Sequence, residues 1–551
     1  MSQVVTPSEA FVGRIRLSIL VVLVCLAVAA RADVHFAVDG AADVHPISPF
    51  VYGWNGSLDG AYAHLAFTRL GGNRWTAYDW ENNASNAGTD WLNQNDDLLS
   101  SSDVPGEAVR PAVDAALAKG AAIVVTVPIN GYVAADKNGG GDVAQTPSYL
   151  AVRFRQSLPA KGAPFSLAPD TGDAFVYQDE FVNWLVHAFP ASGNSVFYSL
   201  DNEPDLWPST HPRIHPEPTT YAELAEKTIA YAEAIKAVAP DALVFGPVSY
   251  GWYGYVALQG APDAAGRDFL DFWLDAIEAR RQQTGARVVD VLDLHWYPEA
   301  QGGGVRITGS ETTPAVVAAR LQAPRSLWDP TYTETSWIAQ DSVGGPIALI
   351  PRLREKIAAH APGTALAFTE YDYGAGGHIS GALAQADVLG IFGREGVFAA
   401  AEWPLAGDES FIAAAFRMYR DFDGAGGAFG DVSIRATTDD VAAASIYASR
   451  DSNDPTRVVL VAINKTAAPL PASIALAHLG PLASVHAFRL TAATAAPVDA
   501  GAIAPASATR IDVTLPAYGA MTLVATVPEP GAVVATLAAA GALVAMRRAR
   551  A

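Results

Sequence analysis

Eight short apolar runs between residues 46 and 405 constrain the fold of this 551-residue chain more than any other feature of its sequence. They occupy residues 50–54, 68–72, 123–129, 196–200, 243–248, 291–296, 366–369 and 398–403. Each run has the length and composition of a buried strand. Helical patterns lie between several of them, most clearly at residues 220–237, 268–282 and 347–360. Strands that alternate with helices in this way predict an α/β fold, a (β/α)8 barrel of the TIM type.

The sequence after about residue 430 has a different period. Apolar and polar residues alternate at 441–449, 458–464, 484–490, 509–515 and 520–526, with turn residues between these segments. This alternation predicts an all-β sandwich. A strand-like segment at 34–38 precedes the barrel, and we expect it to cross over and join the sandwich. The predicted domains are an N-terminal strand at 33–45, the barrel at 46–425 and the β-sandwich at 426–526.

Composition and charge limit the partners of the chain. Its residues are 50% hydrophobic and 17% charged, which is enough apolar surface for a large packed core. The formal net charge of −21 argues against nucleic acid and anionic membrane as partners, because both require a positive face. A neutral polymer remains compatible with this charge.

The N-terminus has the pattern of a secretory signal peptide at 1–32. Arg14 and Arg16 precede an apolar run at 17–30, and residues 30–32 read Ala-Arg-Ala, a small-x-small cleavage site. The alternative is an uncleaved membrane anchor, which the short apolar run disfavours. The only cysteine of the sequence, Cys25, lies in this run, so cleavage would leave a mature chain without disulfides or a cysteine nucleophile.

The C-terminus, residues 527–551, carries a second targeting pattern. Val-Pro-Glu-Pro at 527–530 is followed by small and apolar residues at 531–546 and then by Arg-Arg-Ala-Arg at 547–550. This order resembles the Pro-Glu-Pro (PEP-CTERM) sorting signal of Gram-negative bacteria. The resemblance implies export through the inner membrane, processing by a C-terminal sorting protease in the membrane, and a final location at the cell surface or outside the cell. An ordinary C-terminal membrane anchor is the alternative.

Two carboxylates follow apolar runs at positions where a barrel places its active site. The run 196–200 continues into Asp-Asn-Glu-Pro, which contains Glu203, and the run 366–369 continues into Glu370. In a (β/α)8 barrel the C-terminal ends of the strands carry the chemistry. Barrel glycosidases that retain anomeric configuration need one protonated and one ionised carboxyl, about 5–5.5 Å apart. Glu203 and Glu370 are therefore predicted to be such a catalytic pair.

Further side chains near the predicted strand ends are candidates for binding a sugar polymer, because pyranose rings stack on aromatic rings and their hydroxyls need polar partners. Asn202 is expected to contact the sugar 2-hydroxyl, and Tyr371 or Tyr373 to hydrogen-bond the nucleophile. Arg74 either orients a catalytic carboxylate or forms a structural pair below the site. The remaining candidates are Asn73, Trp80, Trp207, His295, Trp296, Tyr297 and Trp403.

Six longer strings share order and spacing with a known family. They are LGGNR at 70–74, WENNASNAG at 80–88, YSLDNEP at 198–204, STHPRIHP at 209–216, DLHWYP at 293–298 and TEYDYG at 369–374. Together they resemble glycoside hydrolase family 44 over about residues 46–526. Leu70, Trp75, Asp205 and Pro208 depart from the family pattern, which puts the fine specificity in doubt.

The resemblance implies a barrel followed by a β-sandwich and retaining, endo-acting hydrolysis of β-1,4-glucans such as carboxymethyl cellulose and xyloglucan. It gives the general acid/base role to Glu203 and the nucleophile role to Glu370. No cofactor is required. Family members can bind a structural calcium ion, but no Asp-rich calcium loop occurs here, so no metal ligands are assigned. We expect a monomer that binds β-glucan.

Two alternatives remain open at this point. One is the same mechanism on mannan or xylan, because cleft loops rather than the carboxyl pair determine which backbone fits. The other is a non-catalytic surface protein that binds glycan. Intact Glu203, Asn202 and Glu370 argue against the second alternative, since a binding protein does not need a paired acid and nucleophile.

Overall fold

The computed structural model describes residues 33–405 and 407–528. The predicted signal peptide, and the predicted sorting signal beyond its first two residues, lie outside the described residues. Among the described residues, no helix is long and apolar enough to cross a membrane.

Eight parallel strands form a closed barrel, which confirms the predicted fold class. In chain order, the first to eighth barrel strands are Gly53–Trp54, Phe67–Leu70, Ala122–Val127, Val196–Leu200, Val244–Ser249, Val291–Trp296, Ala365–Tyr371 and Ala399–Glu402. Each one overlaps one of the eight apolar runs. The first strand and the eighth pair in parallel, with Trp54 beside Glu402, and this pairing closes the barrel.

Helices surround the barrel. The longer ones are Arg110–Ala118, Gln178–Ala188, Tyr221–Val238, Phe269–Thr284, Pro314–Gln322, Leu349–His360, Ile379–Arg394 and Ser410–Arg420; shorter ones are Asn73–Thr76, Tyr149–Arg153, Trp207–Thr210 and Trp252–Ala257. Local sequence explains their ends. The Thr220 hydroxyl accepts the Glu223 backbone N–H at the start of Tyr221–Val238. Helix Phe269–Thr284 starts after Asp268, which caps it in the same way, and ends at Gly285 with φ +77°.

Small sheets lie in the loops that follow the second, third and sixth barrel strands. They are the pair Ser85–Asn86 and Asn95–Asp96, the three strands Tyr132–Ala134, Phe154–Leu158 and Phe175–Tyr177, and the pair Gln301–Gly302 and Val305–Arg306. Because they follow the C-terminal ends of barrel strands, these insertions are built at the end of the barrel where active sites form.

The second layer of the molecule is a β-sandwich. Its long strands, in sheet order, are Thr494–Ala502, Ser484–Thr491, Gly519–Thr526, Arg457–Asn464, Ala444–Arg450, Val432–Thr438, Val34–Asp39, Leu470–Ala477 and Arg510–Leu515; the short strand His45–Pro46 also pairs with Val432–Thr438. The N-terminal strand Val34–Asp39 runs antiparallel to Val432–Thr438 and parallel to Leu470–Ala477.

A buried helix joins the sandwich to the barrel. Helix Ile379–Arg394 is buried along almost its whole length, and a Cβ at Gly390 would collide with the ring of Tyr447 in the sandwich. The ammonium of Lys465 lies 2.6 Å from a carboxylate oxygen of Asp387 on this helix, and the Tyr447 hydroxyl donates to the other oxygen at 2.6 Å. Barrel and sandwich therefore share a packed and charged interface.

Candidate active site

Glu203 stands on a constrained turn after the fourth barrel strand. Both Asp201 (φ +69°) and Glu203 (φ +43°) have left-handed backbone conformations, which cost energy for residues with a Cβ. The Asp201 carboxylate accepts the backbone N–H groups of Ile129 (2.6 Å) and Asn130 (2.9 Å), and the Glu203 N–H donates to the Val248 carbonyl (3.0 Å). These bonds to the loop after the third strand and to the fifth strand hold the turn in place.

Glu370 lies inside the seventh barrel strand and faces two hydrogen-bond donors. Arg69, on the second strand, donates from Nη1 to Glu370 Oε1 at 2.6 Å, and the Tyr297 hydroxyl donates to Oε2 at 2.7 Å. Donors of this kind, one of them cationic, stabilise negative charge on a carboxylate. The surroundings of Glu370 thus suit an ionised nucleophile.

Asn202 connects the two sides of the site. Its Oδ1 accepts from Arg69 Nη2 at 2.8 Å, and its Nδ2 donates to Asn73 Oδ1 at 3.2 Å. Because an amide nitrogen has two protons, one N–H of Asn202 remains for a ligand beside Glu203.

His295 lies between the two glutamates. Its Nδ1 is 2.9 Å from Glu203 Oε1 and 3.4 Å from Glu370 Oε2. Burial lowers the pKa of His295 to about 3, against the raising effect of the Glu370 charge, so the imidazole is neutral at ordinary pH. With the proton on Nδ1, this neutral ring donates to the carboxylates without adding a positive charge.

The environment of Glu203 suits an acid. Burial raises the pKa of Glu203 to about 7; the charge of Arg69 opposes this shift and that of Asp90 adds to it. A large fraction of Glu203 is therefore protonated near neutral pH. Two neighbouring carboxyls with different surroundings can take the acid and the nucleophile roles in one reaction.

The spacing of the carboxyls indicates which chemistry they can perform. One carboxylate oxygen of Glu203, one of Glu370 and a ring nitrogen of His295 all lie within 4.8 Å of one another. This separation fits the about 5–5.5 Å of retaining glycosidases and not the about 6.5–9.5 Å of inverting ones. Within the described residues, this is also the single group of three such side chains with metal-ligand spacing, but Arg69 and Tyr297 already occupy the Glu370 oxygens.

An open cleft of about 410 Å³ passes over the carboxyl pair. Its wall contains aromatic rings from several loops, among them Tyr250, Trp252, Trp337 and Trp403, together with polar groups. Such a mixture of ring faces and polar groups is typical of a glycan site.

The structure brings a part of the sequence-predicted set to this site. Asn202, Asn73, Trp296, Tyr297 and Trp403 line the cleft with the two glutamates. His295 contacts both glutamates. Trp296 is only 1% exposed, and its indole N–H donates to the Tyr373 hydroxyl at 3.2 Å, so it supports the floor of the cleft rather than offering a free ring face.

Two predicted tryptophans require correction, because they belong to the core. Trp80 has no exposed surface and stacks on Phe181. Trp207 is also fully buried, and its indole N–H donates to Asp201 at 3.3 Å. Neither ring can meet a sugar in the cleft.

Three other predicted residues are likewise placed away from the carboxyl pair. Tyr371 follows Glu370 in the strand and so points to the opposite face, where it packs on Phe392 and its hydroxyl accepts from Gln385 at 2.8 Å. Tyr373 is 1% exposed beneath the cleft. Arg74 is paired with Asp96, which is the structural alternative considered for it.

Arg69 is a site residue that the strand-end pattern does not predict. A charged residue inside an apolar strand run was the available signal, since an arginine side chain with no exposed surface requires a buried partner. Asp90 and Trp337 also line the cleft and come from loops that strand-end reasoning does not reach. Tyr250 lines it too, and it directly follows the fifth barrel strand, so its position at a strand end was the available signal.

A closed barrel with two facing carboxyls at the C-terminal ends of its fourth and seventh strands is the arrangement found in barrel glycoside hydrolases. The sequence model described as Glycoside hydrolase family 44 matches residues 84–300. The chain is 40% identical to a solved Paenibacillus polymyxa xyloglucanase from this family, determined with xyloglucan, with a TM-score of 0.86 over 90% of this chain and 100% of that one. The chain belongs to glycoside hydrolase family 44.

Two curated relatives share long matching regions with the chain. It is 44% identical over 457 residues to Endoglucanase A of Paenibacillus lautus, which covers 79% of this chain. It is 42% identical over 448 residues to Beta-mannanase/endoglucanase A of Caldicellulosiruptor saccharolyticus, which covers 76% of this chain. The chain spans 64% of the first relative's length and 33% of the second's.

Proposed function

We propose that this protein hydrolyses β-1,4-linked glucans within the chain and retains the anomeric configuration, with Glu203 as general acid/base and Glu370 as nucleophile. The observation that carries the proposal is the carboxyl pair: one oxygen of Glu203 lies within 4.8 Å of one oxygen of Glu370. Their surroundings favour a protonated Glu203 beside a charge-stabilised Glu370. Cofactor chemistry is not required, because the chain's own side chains supply every proton transfer and the nucleophile.

In the first step, a carboxylate oxygen of Glu370 bonds to the anomeric carbon while the glycosidic C–O bond breaks. Glu203 gives its proton to the departing oxygen, which leaves as a neutral hydroxyl of the aglycone. The free N–H of Asn202 can hydrogen-bond the sugar 2-hydroxyl, a contact that strengthens as positive charge develops on the ring. The product is a covalent glycosyl-enzyme.

In the second step, the ionised Glu203 takes a proton from water, and the water oxygen bonds to the anomeric carbon as the bond to Glu370 breaks. Two inversions at one carbon give net retention. The hydrogen bonds from Arg69 and Tyr297 stabilise the negative charge that forms again on Glu370. His295 remains a neutral donor beside both carboxyls.

The open cleft supports internal cleavage of a polymer, and its aromatic wall supports a pyranose backbone. Relatives that are named endoglucanase and xyloglucanase favour β-1,4-glucan and xyloglucan as substrates. Mannan is a second candidate, because one relative is named a mannanase as well as an endoglucanase. Xylan shares the same linkage geometry and belongs in the same test.

The deciding experiment is reducing-end release by the purified protein from carboxymethyl cellulose, xyloglucan, mannan and xylan, beside the Glu203→Gln variant. Glucan activity that disappears in the variant supports the proposal. Activity confined to mannan or xylan keeps the mechanism and changes the substrate. No activity on any polymer, with binding retained, would favour a glycan-binding protein. NMR of the earliest product should show the β-anomer; an α-anomer contradicts retention.

We further propose export, with cleavage after Ala32 and later removal of the C-terminal segment by a sorting protease in the membrane of a Gram-negative bacterium. The support is the order of residues at the two ends of the sequence. Mass spectrometry of the protein recovered from surface and medium fractions tests both cleavages. A comparison of the unfolding temperature in EDTA and in calcium tests for a structural ion. Light scattering tests the expectation of a monomer.

A further inference from the structure

Asp205 lies two residues after the proposed acid and departs from the family pattern. It is 3% exposed, although its carboxyl is close to an open cleft. The Ser249 hydroxyl donates to Asp205 Oδ2 at 2.7 Å, and the Tyr250 backbone N–H lies 3.2 and 3.3 Å from the two carboxyl oxygens. The carboxyl thus joins the loop that carries Glu203 to the end of the fifth barrel strand.

The backbone that Asp205 holds is strained. Val248, immediately before Ser249, has φ +59°, a left-handed conformation that is especially unfavourable for a β-branched residue. Strain of this kind persists only where surrounding contacts over-determine the conformation. The bonds from Ser249 and Tyr250 to Asp205 are such contacts.

The strained turn also holds the acid. The carbonyl of Val248 accepts the backbone N–H of Glu203, whose own φ is +43°. Two neighbouring backbone segments in uncommon conformations are therefore joined by one hydrogen bond. A shift of the Val248 carbonyl would move Glu203 with it.

The local packing is fitted to this carboxyl. At Gly254, a Cβ would collide with Asp205 Oδ2 and Ser249 Oγ. Gly254 thus leaves the space that the Asp205 carboxyl and the Ser249 hydroxyl occupy.

We propose that Asp205 is a positioning residue, which fixes the Val248–Tyr250 turn and through it sets the position of Glu203 for protonation of the leaving group. This inference rests on the proposed function. It assigns Asp205 no contact with substrate.

The test compares Asp205→Ala, Asp205→Asn and Asp241→Ala on two aryl β-cellotriosides. The dinitrophenyl compound has a leaving group that needs no proton, and the phenyl compound has one that does. The quantity measured is kcat/KM, which reports the bond-breaking step. Asp241 is an exposed control at the opposite end of the barrel, just before the fifth strand.

Asp205→Ala should lower kcat/KM for the phenyl compound about 10- to 100-fold, the range expected when a catalytic group is displaced. The dinitrophenyl compound should change less than about threefold, because Glu370 and its donors are untouched. Asp205→Asn should recover most of the loss, since its amide oxygen can accept the Tyr250 N–H. Asp241→Ala should match the unchanged protein on both compounds.

An equal loss on both compounds, or no loss on either, overturns the inference. If Asp205→Ala fails to fold, Ser249→Ala takes its place in the test, because it removes the hydroxyl that donates to Asp205. The inference then requires that Ser249→Ala lower kcat/KM more for the phenyl compound than for the dinitrophenyl compound. Glu203→Ala on the same compounds tests the proposed function separately. If Glu203→Ala discriminates between them and Asp205→Ala does not, only the positioning role fails.

Discussion

The residues around each of the two carboxyls determine which proposed catalytic role that carboxyl suits. Glu370 accepts hydrogen bonds from Arg69 and Tyr297. Glu203 lies against the neutral imidazole of His295, and burial raises its pKa although the charge of Arg69 opposes the shift. The same type of side chain is thus suited to the proposed nucleophile role at one position and to the proposed acid role at the other, because its neighbours differ.

Replacing Glu370 with Ala should lower kcat on glucan on the order of 10⁴-fold or more, because no other carboxylate can form the glycosyl-enzyme. Steady-state rates with xyloglucan measure this. Exposed Glu217 gives the matched control, Glu217→Ala, and thermal unfolding shows whether both variants fold. Substantial remaining turnover by a folded Glu370→Ala protein would contradict the nucleophile assignment.

The rate should also depend on the protonation of Glu203. Its pKa is raised to about 7 and the first step needs the protonated form, so kcat/KM should fall as pH rises through about 7. The negative charge of Asp90 contributes to this elevation, and Asp90→Asn should therefore move the basic limb to lower pH. Profiles of kcat/KM against pH check the direction. A limb that stays in place in Asp90→Asn, or moves upward, would count against this electrostatic account.

A site residue could be identified from the sequence when it directly follows an apolar run, and not when it lies within a run or in a loop. Glu203 and Glu370 were visible because they follow apolar runs directly. Arg69 lies within such a run, so its position resembles that of a core residue, whereas Arg74, five residues later, follows the run and is the residue that the pattern indicates. Trp80 and Trp207 show the opposite problem, since a tryptophan in a loop after a strand can turn into the core as readily as toward the cleft.

Elements were predictable where their own pattern is strong. All eight barrel strands overlap their predicted runs because parallel strands covered on both faces are almost continuously apolar. Three of the long sandwich strands, and the short strand His45–Pro46, have no counterpart among the predicted segments. Leu470–Ala477 is rich in small residues and contains Pro471, while Thr494–Ala502 is an edge strand with mostly exposed or half-buried residues, so neither has a clear apolar alternation. The third long strand without a predicted counterpart is Val432–Thr438.

Helix caps give a prediction at this scale. Thr220→Ala should lower the free energy of unfolding by about 1 kcal/mol, because the Thr220 hydroxyl accepts the Glu223 N–H. Thr313 precedes helix Pro314–Gln322 but makes no side-chain capping bond, and so Thr313→Ala is the matched control with a smaller expected change. Chemical denaturation of both variants measures the difference. Equal losses would show that the cap itself is not responsible.

The molecule as a whole depends on the junction between barrel and sandwich. Lys465→Met should destabilise the protein by about 3–5 kcal/mol, because it leaves the buried Asp387 charge without its cation. The control is Lys137→Met, whose partner Asp103 is 87% exposed and whose loss should cost no more than about 1 kcal/mol. Adding Asp387→Asn to Lys465→Met should restore part of the stability. Denaturation curves that show no difference between the two lysine variants would contradict the role of this pair.

The position of Val34–Asp39 has a consequence for the order in which the chain can fold. This strand lies between Val432–Thr438 and Leu470–Ala477, so almost 400 residues of barrel are inserted between neighbouring strands of one sheet. A chain emerging N-terminus first must leave its first strand unpaired until about four fifths of the sequence, through Val432–Thr438, has appeared. The ribosome therefore releases the barrel segment before the sandwich can be completed, and unpaired strand edges are exposed during that interval.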